Sequence, residues 1–161
     1  MSDIVNLFGN DDPVPIIRTD LTYLPYYKGT IEMKSNRFDQ GMKIRRKVSG
    51  AQRVDALMGN LDKVTRPIHT LVTEYCWGEV WSRPGLTLKE RSFLTLGMLA
   101  ALNRPNELKI HISAALNNGM TRDEIVECFL QVMIYCGVPA GIEATNLAKQ
   151  VFEERKISIY D

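Results

Sequence analysis

The sequence predicts an all-α fold of about six helices, and three observations point to it. From Asn36 onward, apolar residues recur at three- and four-residue intervals, the period of a helix buried along one face. No segment alternates apolar and polar residues for the length of a strand. Thr87-Leu-Lys-Glu90 and Thr121-Arg-Asp-Glu124 are both capping boxes, in which a threonine accepts from the backbone of a glutamate three residues on and that glutamate reaches back.

The first 35 residues stand apart from this pattern. They hold Pro13, Pro15, Pro25 and the aromatic cluster Leu21 to Tyr27, with no helical period, and read as an extended arm (residues 1–35) before a helical domain (residues 36–161). The domain opens with a helix ending near Val48, with Phe38, Met42 and Ile44 turned inward and the basic run Lys43 to Val48 on a solvated face. A short helix follows and stops at Gly59-Asn60. From Asp62 to Trp81, a longer one lines up Val64, Ile68, Leu71, Val72 and Tyr75 on a single stripe. The helix that starts at Thr87 contains Leu94 to Leu102, apolar nearly all round, which calls for cover on every side and suggests a core shared between subunits. Pro105 suits the first turn of the next helix, where its missing N–H would be unpaired anyway, and Gly119 suits the left-handed stop after it. The helix from Thr121 to about Tyr135 should bury Ile125, Val126, Phe129, Leu130 and Met133. After the break at Cys136 to Pro139, a final helix buries Ala144, Leu147, Ala148 and Val151.

Composition narrows the function. A chain of 161 residues is one domain by size, and 45% hydrophobic with 24% charged residues is ordinary for a globular protein. The formal charge of +1 argues against nucleic acid or an anionic membrane as the main partner. The longest apolar run is about half of a membrane span, and the N-terminus does not read as a secretory signal. Cys76, Cys128 and Cys136 are too widely spaced for a metal cluster and too few for a disulfide framework, so a reducing cytoplasm is the expected location.

Chemistry concentrates on one helix. Glu107 and His111 are one turn apart, on one face, in a stretch otherwise rich in Leu, Ile and Ala. A carboxylate that holds one ring nitrogen leaves the other free for proton transfer or for donation to an oxyanion. The spacing is equally that of a structural pair. Arg83, Arg91 and Arg104 lie near helix starts; their planar guanidinium groups suit carboxylates, and each also suits an ion pair. Trp77 and Trp81 share a helical face, either in the core or as a pocket wall. There is no Gly-rich phosphate loop, no HExxH, no CxxC and no serine elbow.

The run from Trp77 to Gly141 closely resembles the single-domain carboxymuconolactone decarboxylases. It carries their WGxxWxRPGL, RSxxTxxML, NRxxELKxHxxxAxNNG and YCGxPA blocks in order, and the resemblance extends from about Gly41 to about Glu154. It implies the alkylhydroperoxidase-like fold, assembled as trimers or hexamers. In the peroxidases of that fold, CxxCxxxH supplies two cysteines before a histidine. Arg104 and Glu107 occupy the cysteine positions here and His111 the histidine, so thiol peroxidase chemistry is ruled out. The reaction implied is loss of CO2 from γ-carboxymuconolactone to give β-ketoadipate enol-lactone, with no cofactor or metal. Carried over residue by residue, the resemblance gives His111 proton delivery or oxyanion donation, with Glu107 orienting it. Arg91 and Arg104 bind the carboxylate or lactone, Trp77 walls the pocket, and His69 is a further candidate contact. The arm before Phe38 has no counterpart in the compact family members.

Overall fold

The computed structural model describes residues 33–160, with side chains from residue 36; the arm expected at residues 1–35 lies almost entirely outside the described residues. The described chain is all helical: α1 (Met33–Ser49), α2 (Ala51–Gly59), α3 (Arg66–Leu71) running into a π-helical segment (Val72–Val80), α4 (Leu88–Ala101), α5 (Pro105–Asn117), α6 (Arg122–Cys136) and α7 (Val138–Glu154). Among the described residues no helix is long and apolar enough to cross a membrane.

The local stops and starts follow from sequence. Both capping boxes form, with Thr87 accepting from the Glu90 amide and Thr121 from the Glu124 amide. Lys89 pairs with Glu124 at 2.6 Å, tying the two capped helix starts together. Pro105 sits in the first turn of α5 with Arg104 as its N-cap. Gly119 and Gly137 adopt φ of 84° and 101°, where a side chain would be strained, and they end α5 and α6.

Two cores result. The larger joins Leu96, Leu108, Ile112, Ile125, Phe129 and Val151 from α4 to α7. The smaller joins Val48 of α1, Trp77 and Trp81 of the π segment and its end, and Ala114 of α5. Helix α5 therefore lies between the cores and contributes to both. Its C-terminal end is pinned by Asn117, which donates to the Val48 carbonyl and accepts from Arg155.

Three expectations are corrected. On α1 the inward line is Gly41, Arg45 and Val48 rather than Phe38 and Met42, which border an open groove with Asp39 and Lys43. The cause is backbone contact: a Cβ on Gly41 would collide with the Thr73 carbonyl, and one on Gly78 with the Arg37 carbonyl, so the glycines face each other's helix. That rotation buries Arg45 inside a run read as solvated, while Arg46 keeps to the surface and pairs with Asp55 at 2.7 Å. The segment from Asp62 to Trp81 is also not one α-helix. Its last part widens to i→i+5 bonding, closed by the Trp81 amide donating to the Cys76 carbonyl at 2.8 Å. In the widened part Thr73, Trp77 and Trp81 turn inward and Tyr75 is exposed; Val64, Ile68 and Leu71, which precede it, are exposed as well. On α6, Val132 is buried and Leu130 is exposed, because the inward line follows Ile125, Phe129 and Val132.

Candidate active site

His111 projects from the middle of α5 toward the smaller core. Trp81 lies 6.5 Å from it, ring centre to ring centre, and Trp77 lies 4.8 Å from Trp81. Both indoles are buried. They are delivered by the π segment, whose wider turn keeps residues 73, 77 and 81 on the inward side.

The imidazole is half-buried, and no hydrogen bond reaches it among the described residues. Its nitrogens are nevertheless not among the sealed, unpartnered polar atoms, so the ring stays reachable from solvent. Its proton affinity is lowered, first by burial, then by the positive charge of Arg53 on α2, against a smaller opposing effect of Glu107. His111 is thus a neutral ring at neutral pH, with an N–H to donate and a lone pair to accept. Glu107 is exposed and influences His111 through its charge; no hydrogen bond joins the two among the described residues.

The remaining candidates are placed as follows. His69 is half-buried on α3, its Nδ1 lying 3.4 Å from Arg45 Nη2. Arg91 donates through Nη2 to the Arg83 carbonyl at 3.1 Å, while its buried Nε–H has no partner. Arg104 is exposed and lines a cavity of about 240 Å³ with Leu108, Cys136, Glu143 and Leu147, between α5 and α7. Neither Glu107 nor His111 lines that cavity. The structure therefore brings His111 together with Trp77 and Trp81 and sets Arg104 at a separate opening.

Sequence reasoning missed Arg45 and Arg53. Arg53 acts electrostatically on both His111 and Arg45. Arg45 follows Gly41 by four residues and precedes Val48 by three, so the three share a helical face, but spacing alone does not say that this face turns inward.

Residues 56–150 match the Carboxymuconolactone decarboxylase family. The chain belongs to that family. This carboxymuconolactone decarboxylase family chain is 38% identical over 122 residues to the 4-carboxymuconolactone decarboxylase of Acinetobacter baylyi, covering 76% of this chain and 91% of that one. It is 41% identical over 123 residues to the nitrosuccinic acid decarboxylase npaB of Metarhizium robertsii, covering 76% and 86%. The family match takes in His69, Trp77, Arg91, Arg104, Glu107 and His111, and it begins after Arg45 and Arg53.

Proposed function

We propose that this protein is a cofactor-independent carboxy-lyase that converts γ-carboxymuconolactone to β-ketoadipate enol-lactone in aromatic-acid breakdown. The observation that carries the proposal is a reachable, neutral imidazole set against two buried indoles, in a chain similar over most of its length to a 4-carboxymuconolactone decarboxylase.

The substrate supplies its own electron sink. When the carbon–carbon bond to the departing carboxylate breaks, CO2 leaves and the electron pair moves through the ring double bond to the lactone carbonyl oxygen. The resulting enolate takes one proton on the carbon beside that carbonyl. The protein has to weaken solvation of the departing carboxylate, stabilise the oxyanion and let a proton reach carbon. Trp77 and Trp81 offer the dry wall. Neutral His111 offers an N–H to the oxyanion, a contribution worth about 3–4 kcal/mol in the transition state. Glu107 tunes the ring through its charge. Arg91 and Arg104 are assigned the weaker task of drawing in an anionic substrate.

Loss of CO2 from nitrosuccinic acid is the second reading, favoured by the comparable identity to npaB. In that substrate the nitro group takes the electron pair that the lactone carbonyl takes above. Incubating the protein separately with γ-carboxymuconolactone and nitrosuccinate, and following CO2 release, separates the two. Turnover of the lactone is expected to exceed that of nitrosuccinate by at least about tenfold, a difference of roughly 1.4 kcal/mol in barrier. Faster nitrosuccinate turnover would reverse the assignment.

The same reading places the protein in the cytoplasm as a homo-oligomer, trimer or hexamer, with exposed apolar helix faces meeting between subunits. It also assigns residues 1–35 to covering a pocket or a neighbouring subunit. A variant lacking them should show an altered KM or an altered size by light scattering; if both are unchanged, the arm has no such role.

A further inference from the structure

Several arginines of this chain are answered by a carboxylate or a carbonyl. Arg37 pairs with Glu79, Arg46 with Asp55, and Arg66 donates to the Leu61 carbonyl. Arg45 differs. Only 7% of its surface is exposed, and no carboxylate is among the partners of its guanidinium. Nη1 donates to Thr73 Oγ1 at 2.9 Å and lies 3.5 Å from Met58 Sδ, while Nη2 lies 3.4 Å from His69 Nδ1. A guanidinium stays charged in a protein, so this is a buried cation with no carboxylate against it among the described residues. Such a group is costly unless an anion meets it.

Arg53, on α2, is exposed and also has no ion pair among the described residues. Its helix reaches Arg45 through Met58, 3.5 Å from Nη1, and the Arg53 charge disfavours the protonated forms of Arg45 and His111 alike. The π segment joins the same groups from the other side: Thr73 holds Arg45, and Trp81, eight residues on, faces His111. Because Nδ1 of His69 is turned to a guanidinium that can only donate, it acts as the acceptor, and Nε2 carries the ring hydrogen.

We propose that Arg45 and Arg53, with His69 as a positioning residue, form a subsite for a second carboxylate of the substrate, the one retained after CO2 leaves. Which carboxylate they take follows from the chemistry. CO2 is neutral, so a guanidinium on the departing carboxylate stabilises the ground state and loses its partner in the transition state, which slows the reaction. Cations belong on the carboxylate that keeps its charge, and the apolar indoles belong near the one that does not. The site consequently selects dicarboxylates over monocarboxylates. This inference rests on the decarboxylase reading above, and its test is chosen to be independent of turnover.

Trp77 and Trp81 are the only tryptophans of the chain, so selectively excited tryptophan fluorescence reports on this site alone. Succinate and propionate serve as dicarboxylate and monocarboxylate probes, propionate being succinate without one carboxylate. In the full-length protein, succinate should give a saturable fluorescence change with at least about tenfold higher affinity than propionate. Arg45→Gln should reduce succinate affinity by about tenfold or more, and Arg53→Gln by several-fold. Arg45→Lys, which keeps the charge and loses the fork, should fall between. Arg53 is exposed, so its variant should fold even if Arg45→Gln does not. With γ-carboxymuconolactone, Arg53→Gln should raise KM more than it lowers kcat. No saturable response to succinate, equal responses to both probes, or wild-type succinate affinity in a folded Arg53→Gln protein would overturn the subsite. Arginine-dependent succinate binding in a protein that turns over no substrate would instead count against the decarboxylase reading and leave the subsite standing.

Discussion

His111 shows how burial sets a chemical role. Desolvation and the Arg53 charge both lower its proton affinity, and Glu107 partly restores it. Two substitutions should therefore move the ring in opposite directions: Arg53→Gln raises its titration midpoint and Glu107→Gln lowers it, as read by NMR of the imidazole resonances. The linkage to stability has a definite sign. The unfolded ring titrates near 6.5 and the folded ring below that, so the unfolded chain binds the extra proton in the interval between. The contribution of His111 is present above pH 6.5 and is lost as pH falls through the folded value. Denaturant melts should show this acid-side loss in the wild type and a smaller one in His111→Asn. The Glu107–His111 spacing was visible in the sequence because it is local to one helix turn. Arg45 was not, because a basic residue within a basic run reads as solvated until the helix against it is known. Only Gly41, pressed on the Thr73 carbonyl, decides that this face turns inward.

The helices divide by how local their determinants are. Capping boxes are set by residues within one turn, and both were legible and both form. Thr87→Ala or Thr121→Ala should each cost about 1 kcal/mol in urea unfolding. The π segment was not legible: the stripe read through it, Val64, Ile68, Leu71, Val72 and Tyr75, fits an ordinary α-helix, and the wider turn shows only against α1. There the contact of two backbones leaves no room for side chains at Gly41 and Gly78. Gly41→Ala should be severe, about 3 kcal/mol or more, because backbone rather than a mobile side chain has to give way. The same substitution should shift the fluorescence of Trp77 and Trp81, since displacing the segment displaces both. Gly59→Ala meets nothing and serves as the control.

At the scale of the whole molecule, the described residues carry much exposed apolar surface. Val64, Ile68, Leu71 and Tyr75 lie open on the α3 side, Leu94, Met98 and Leu102 on α4, and Ile134, Tyr135, Val138 and Ile142 around the α6–α7 junction. Patches of this extent usually mark contacts. The α4 surface follows from a helix apolar nearly all round: its buried line is Leu96 and Ala100, and the opposite line, Leu94, Met98 and Leu102, is exposed. Met98→Glu should shift the protein to a smaller species by light scattering, with its helical content retained; an unchanged mass would remove α4 from the interface. The whole scheme depends on a neutral imidazole supporting loss of CO2 from a carboxylated lactone. The decisive measurement is CO2 release from γ-carboxymuconolactone by wild type and His111→Ala at neutral pH, on samples matched for oligomer size and melting temperature. The expected result is a rate lower by about 100- to 1,000-fold in the variant, the size seen when an oxyanion donor is removed. A folded, correctly assembled His111→Ala protein that releases CO2 at the wild-type rate would contradict it.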